Sequence, residues 1–172
     1  MSMLIRFNLN GRPVEEEAAA HHTLLDFLRG KLQMTSVKQG CDEGQCGACT
    51  ILLNGKPVCA CLLLAVQAQG AEITTLEGLS QSGELSPIQR AFLEKYGFQC
   101  GFCTPGMILA TKALLDGNPD PSTADIEEAL AGNLCRCTGY EQIIESVLRA
   151  AAMMNSASVP RAGLEKIAAT VP

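Results

Sequence analysis

Charge is scarce in this chain. Asp, Glu, Lys and Arg make up 18% of 172 residues, against roughly 25% in an average soluble protein. The apolar share, 47%, is ordinary, so a surface this sparing with charge implies that partner subunits cover part of it. Basic runs are missing, and the net charge of −5 argues against nucleic acid or an anionic membrane as partner. No apolar stretch approaches the ~18 residues of a membrane helix. The opening "MSMLIRFNLNGR" has no basic region followed by a long apolar run, so export is not expected and the cytoplasm is the expected compartment. Histidine is nearly absent. His21 and His22 are adjacent, so on a helix or strand they diverge rather than share a metal, and they are expected to flank the first helix. Neither lies near a Ser or Cys that it could activate as a nucleophile. No G-x-G-x-x-G is present, and "GCDEGQCG" lacks the lysine and helix start of a phosphate loop, so nucleotide binding by this chain is not expected.

Cysteine, by contrast, is abundant, with nine residues. In a reducing compartment these are metal ligands or redox groups rather than disulfides.

The fold class expected is α+β. "LIRFNLNGRPVEEE" alternates Ile5, Phe7 and Leu9 with polar residues, then turns on Asn10-Gly11, a two-residue hairpin signal. The acidic run Glu15–Glu17 reads as a solvated strand or loop edge. In "TLLDFLRGKL", Thr23 and Asp26 are spaced as a capping pair ahead of a short helix with Leu24, Phe27, Leu28 and Leu32 on one face. A second hairpin turns on Asn54-Gly55, and "AEITTLEGL" completes a mixed domain over 1–79. A linker is expected over 80–86, "SQSGELS". Helical periodicity then takes over. One helix starts at Ser86, Pro87 and Gln89 with Ile88 and Phe92 inward, and stops at Gly97. A second runs from Thr104-Pro105 to Gly117 with Met107, Ile108, Thr111, Leu114 and Leu115. A third spans Ser122 to Gly132. The fourth carries Ile143, Ile144, Val147, Leu148 and Ala151. Four helices with short connections predict an all-α four-helix domain over 87–154. The tail, 155–172, has no convincing period and is expected to be mobile or to rest on a partner.

Cys41, Cys46 and Cys49 form C-x4-C-x2-C, the spacing by which plant-type ferredoxins hold a [2Fe–2S] cluster with a more distant fourth cysteine. Three thiolates on one short loop must converge, so the backbone wraps tightly, and Gly40, Gly44 and Gly47 let amides approach the sulfurs. The fourth ligand is Cys59 or Cys61. If Asn54-Gly55 makes a two-residue turn, Leu53 faces Lys56, Thr50 faces Cys59 and Ala48 faces Cys61. Cys61 thus reaches further into the loop and is favoured, with Cys59 read as a small buried hydrophobe. A second set, Cys100, Cys103, Cys135 and Cys137, sits at helix junctions that can meet at one end of a bundle. On its own it suits tetrahedral zinc as well as a second cluster. The tight C-x-C pair and the first loop favour the cluster.

Taken together, "GCDEGQCGACTILLNG", "CLLLAVQ", "QCGFCTPGMI" and "GNLCRCTGY" resemble the iron–sulfur subunit of the molybdenum hydroxylases. That is the xanthine oxidase superfamily, which includes carbon monoxide dehydrogenase, quinoline and nicotinate hydroxylases and hydroxybenzoyl-CoA reductase. The resemblance covers roughly residues 3–154. It implies a β-grasp, plant-ferredoxin-like domain followed by the four-helix domain, each holding one [2Fe–2S] cluster. It makes Cys61 the fourth ligand of the first cluster, and it brings Gln99 and Cys137 to the molybdopterin of a large partner subunit. It further implies an electron relay from molybdenum, bound as molybdopterin cytosine dinucleotide, to FAD on a medium subunit or to another acceptor. The assembly implied is a dimer of heterotrimers oxidising an aromatic or N-heteroaromatic substrate, with no substrate pocket on this chain. A free-standing two-cluster ferredoxin and a structural zinc module are the competing readings.

Overall fold

The computed structural model describes residues 2–80 and 83–158. β1 (Ser2–Leu9) and β2 (Arg12–Ala19) form the first hairpin. Asn10 and Gly11 both take positive φ, 53° and 77°, as a type I′ turn demands. Ile5, Phe7 and Leu9 point into the core, the two-residue alternation made physical. The acidic run lies on β2, an edge strand, where Glu15 pairs with Arg6 at 2.9 Å and Glu16 with Lys31 at 3.2 Å.

Thr23 Oγ1 caps α1 (Leu24–Asp26) by accepting from Asp26 N at 3.0 Å. The helix then widens into a π turn, Phe27–Lys31, closed by Leu32 N donating to Phe27 O. Leu24, Phe27 and Leu28 are buried as the spacing predicts, and so is Leu25. His21 and His22 flank this helix as expected but do not diverge. They lie in a turn rather than on a helix or strand, so their rings pack edge to face, 4.9 Å apart.

β3 (Thr50–Leu53) and β4 (Lys56–Cys59) form the second hairpin, and β5 (Glu72–Thr74) slots between the two hairpins. The sheet order is β2-β1-β5-β3-β4, with β1 parallel to β5 and the other pairs antiparallel. This mixed sheet covered by α1 is a ferredoxin-like arrangement.

The segment after β5 is tied back to the loop after the π turn by Glu77. Its carboxylate accepts from Ser36 N at 3.0 Å, Ser36 Oγ at 2.5 Å and Thr75 Oγ1 at 2.6 Å. Partial burial opposes its charge, but the donors outweigh burial and hold Glu77 below the ordinary carboxylate range. A depressed pKa adds stability above the unfolded value, about 4.3, which is lost as pH falls through the folded value. Glu77→Gln therefore lowers the melting temperature at pH 7, and the gap closes as the medium is acidified below about pH 4. Melting curves at a series of pH values check this. A gap that stayed constant down to pH 3 would contradict it.

The remaining helices are α2 (Pro87–Glu94), α3 (Thr104–Gly117), α4 (Thr123–Leu130) and α5 (Glu141–Ser158). Ser86 and Gln89 close a capping box on α2, and Ser122 and Asp125 do the same on α4. All four helices contribute to one apolar cluster that includes Ile88, Phe92, Met107, Ile126 and Val147. α2 stops on Tyr96, at φ 56°, with Gly97 N donating to Phe92 O at 2.9 Å. The sequence assigned that stop to Gly97, but glycine is there for space. A Cβ would meet Ser146 Oγ of α5 at 2.4 Å. On α5 the inward stripe is Ile143, Val147, Ala150 and Ala151. Leu148, expected inside, is 41% exposed because it lies one step off that stripe. Residues 155–158 of the expected tail continue α5, and 159–172 lie outside the described residues, as do 81 and 82 of the linker. Among the described residues no helix is long and apolar enough to cross a membrane.

Candidate metal centres

The loop from Gly40 to Cys49 leads into β3, so the hairpin fixes one end of the first cysteine set. The register places Thr50 opposite Cys59, as the two-residue turn requires, and Ala60 N donates to Cys49 O one step beyond. The chain then closes into a 3₁₀ turn, Ala60–Leu62, which carries Cys61 against Cys49. Cys41 Sγ accepts from Glu43 N and Cys46 N, each at 3.4 Å. These two amides are the main reason the Cys41 thiol is drawn down to about 7. Burial, followed by contact with Cys49, pushes Cys61 up to about 11. Gly44 and Gly47 both take positive φ, and a Cβ on Gly40 would meet Cys46 Sγ at 2.7 Å. The loop therefore has no room for side chains at its glycines, and its amides aim at sulfur. Cys59 stands beside this set, with its thiol 3.7 Å from Gly44 O, so five thiols, not four, share the neighbourhood.

The second set brackets α3. Cys100 and Cys103 lie on the loop ahead of the helix, with Cys103 at its N-cap. Cys135 and Cys137 lie between α4 and α5. Cys137 Sγ is 3.5 Å from Cys100 Sγ, and Cys103 neighbours Cys135. Burial, with Cys135 next, raises Cys103 to about 12. Burial also works against Cys135, but the Thr138 hydroxyl and nearby amides outweigh it, and that thiol is drawn down. Gln99, Cys100 and Cys137 are exposed, so one edge of this set faces outward. Thr104 Oγ1, directly after Cys103, is buried with no partner.

Both sets fit a thiolate-ligated cluster. In each the thiols approach one another in pairs, Cys41 with Cys46 and Cys49 with Cys61 in the first, Cys100 with Cys137 and Cys103 with Cys135 in the second, and the first offers amides to sulfur, as an anionic cluster requires. The thiolate is the ligand form, so loading releases protons, most of all from the buried Cys61 and Cys103.

Residues not foreseen from the sequence join the two sets. Asn133 is buried, and its amide donates to Gly47 O at 2.9 Å and to Thr50 Oγ1 at 3.1 Å. Leu134 N donates to Cys46 O at 2.9 Å. Tyr140 Oη accepts from Cys135 N at 2.9 Å and donates to Asn133 O at 3.2 Å. All lie inside "GNLCRCTGY", where a polar Asn and Tyr beside cysteines were the available signal.

Two family models match in tandem. A 2Fe-2S iron-sulfur cluster binding domain covers residues 7–77, and a [2Fe-2S] binding domain covers residues 75–148. The nicotinate dehydrogenase small FeS subunit of Eubacterium barkeri is 52% identical, over 83% of this chain and 91% of that protein. The xanthine dehydrogenase iron-sulfur-binding subunit of Escherichia coli O157:H7 is 46% identical, over 86% of this chain and 93% of that protein. Among solved structures, quinoline 2-oxidoreductase from Pseudomonas putida superposes with a TM-score of 0.87 at 42% identity, over 92% of this chain and 99% of that one.

Proposed function

The chain belongs to the iron–sulfur subunits of the molybdenum hydroxylases, the xanthine oxidase superfamily, and from that premise we propose how its residues serve the complex. Its role in that family is electron transfer, as a subunit without a substrate site of its own. Residues 1–79 form the ferredoxin-like domain, 80–86 the linker and 87–154 the four-helix domain. Cys41, Cys46, Cys49 and Cys61 hold the first [2Fe–2S] cluster. Cys100, Cys103, Cys135 and Cys137 hold the second. When bound, these clusters supply one-electron transfer between a molybdopterin centre, as the cytosine dinucleotide, on a large partner subunit and FAD on a medium subunit or another acceptor.

The single observation that carries this reading is the pair of converging thiol sets in one chain, joined through Asn133 and Leu134. The chain's own residues do three things. The amides of Glu43 and Cys46 prepare Cys41 as a thiolate. Burial keeps water from Cys49 and Cys61. The exposed Gln99 and Cys137 present the second set to the molybdopterin side of the partner. An aromatic or N-heteroaromatic substrate is supported by the quinoline and nicotinate enzymes among the relatives. A dimer of heterotrimers in the cytoplasm is the assembly proposed, in keeping with nine free thiols.

The test is co-expression with the neighbouring subunit genes, followed by metal analysis and EPR of the purified material. Two iron pairs per chain with matching acid-labile sulfide, two [2Fe–2S] signals and a co-purifying molybdenum subunit are expected. Zinc in place of iron, or a single iron pair, overturns the ligand assignment. Both clusters on a chain without partners would make it a free-standing ferredoxin.

A further inference from the structure

Thr138 is buried, on the short connection between Cys137 and α5. Its Oγ1 lies 3.2 Å from Cys135 Sγ. The same oxygen accepts from Tyr140 N at 3.1 Å. That second bond is compatible with either direction of the first, because the hydroxyl oxygen has two lone pairs, so the protonation state of Cys135 decides it. An amide can only donate, so it occupies a lone pair of the hydroxyl oxygen and leaves the hydroxyl hydrogen free for another acceptor. A ligating cysteine is a thiolate and can only accept. The hydroxyl hydrogen therefore points at sulfur.

Resting on the ligand assignment above, we propose that Thr138 is a positioning residue that sets the reduction potential of the second centre by donating a hydrogen bond to the Cys135 thiolate. Tyr140 is what holds it in place. The chain turns at Gly139, φ 65°, which brings the Tyr140 N–H back onto Thr138. The Tyr140 Oη simultaneously bridges Asn133 O and Cys135 N, so the backbone on both sides of the ligand is fixed. The hydrogen bond to Cys135 favours the more negative state of the centre, because a hydrogen bond to an ionised acceptor strengthens as the charge on that acceptor grows. Hydrogen bonds to the ligand sulfurs are among the levers that set such potentials. Nothing comparable reaches Cys137, which is exposed, so among the described residues the side-chain donor in this set acts on one ligand.

The experiment uses the assembled holoenzyme and an EPR-monitored redox titration with dithionite, comparing Thr138→Val, Thr138→Ser and the parent protein. Valine keeps the shape and removes the hydroxyl. Thr138→Val should make reduction of one centre about tenfold less favourable, a fall of about 59 mV for a one-electron couple, with iron and sulfide content unchanged. The signal that moves should be the one that survives when Cys61 is replaced. Thr138→Ser, which keeps the hydroxyl, should restore at least half of the shift. The proposal is overturned if both midpoints stay within a few millivolts, if the other signal moves, or if serine behaves like valine. Two signals with parental iron content in Thr138→Val, but no shift, count against the hydrogen bond alone. A parent protein with fewer than two signals counts against the ligand assignment itself.

Discussion

Cys61→Ala should abolish one of the two [2Fe–2S] signals expected of the assembled protein and halve its iron content, while Cys59→Ala should leave both signals in place. The two cysteines differ by two positions, so strand alternation alone would point them to the same face. The structure breaks that alternation. β4 ends at Cys59, and the 3₁₀ turn that follows carries Cys61 into the cysteine loop, 8% exposed, against Cys49. Cys59 remains on the strand. It packs at the margin of the core around Phe7, Leu28 and Ile51 and turns its thiol to the carbonyl of Gly44 at 3.7 Å. A thiol held as a donor to a carbonyl is protonated, and burial is the main reason its pKa is raised further. Losing it leaves a small gap, a cost of about 1 kcal/mol. Losing Cys61 would leave the proposed first set with three ligands, and alanine supplies no substitute donor. Iron and acid-labile sulfide determination together with EPR of the reduced variants gives the answer. A cluster lost in Cys59→Ala and kept in Cys61→Ala would exchange their roles.

The sequence made both hairpins legible because Asn10-Gly11 and Asn54-Gly55 dictate the turn and hence the register. It also made the helix starts legible, because Ser86 and Ser122 stand three residues ahead of the polar partners that close their caps. Family models confirm the [2Fe–2S] domains that the cysteine spacing pointed to. What was not legible is whatever depends on two distant segments meeting. Gly97 reads as a helix stop until α5 is seen to press Ser146 against it. Leu148 reads as core until the inward stripe of α5 is seen to pass through Ala150. Thr138 and Asn133 read as loop polarity, since a single sequence does not say that Cys135 Sγ and Gly47 O lie within reach of them. The half-turn that separates Cys61 from Cys59 is a local event, yet it follows from the β3–β4 ladder ending rather than from a propensity of "CACL".

That seam between distant segments is also where a single atom should do the most damage. Gly47→Ala is expected to destabilise the holoprotein by at least about 3 kcal/mol, whereas Gly11→Ala costs about 1 kcal/mol. Both glycines hold positive φ, 67° and 77°, so the conformational cost of adding a Cβ is shared. The surroundings differ. At Gly11 nothing lies within 4 Å of the added carbon. At Gly47 it would sit 2.3 Å from Gly132 O and 2.9 Å from Asn133 Cα. These are backbone atoms, so no rotamer relieves the overlap and the two halves of the chain must separate. Separation then exposes a second cost. The buried Asn133 Nδ2 donates across the seam to Gly47 O at 2.9 Å and to Thr50 Oγ1 at 3.1 Å and loses both acceptors, whereas Gly47 O keeps Thr50 Oγ1 at 2.7 Å. Gly106 also packs there, where its own added Cβ would meet Gly47 O at 2.5 Å. Each buried polar group that loses its partner adds about 1–3 kcal/mol. For a chain of this length, Gly11→Ala should lower the melting temperature by about 2–4 °C and Gly47→Ala by about 6–12 °C or more. Because Cys46 and Leu134 share a backbone hydrogen bond across the same seam, Gly47→Ala should also loosen the two centres from one another, weakening any magnetic interaction between their EPR signals. Equal melting shifts for the two variants would mean that the halves are not closely joined at Gly47.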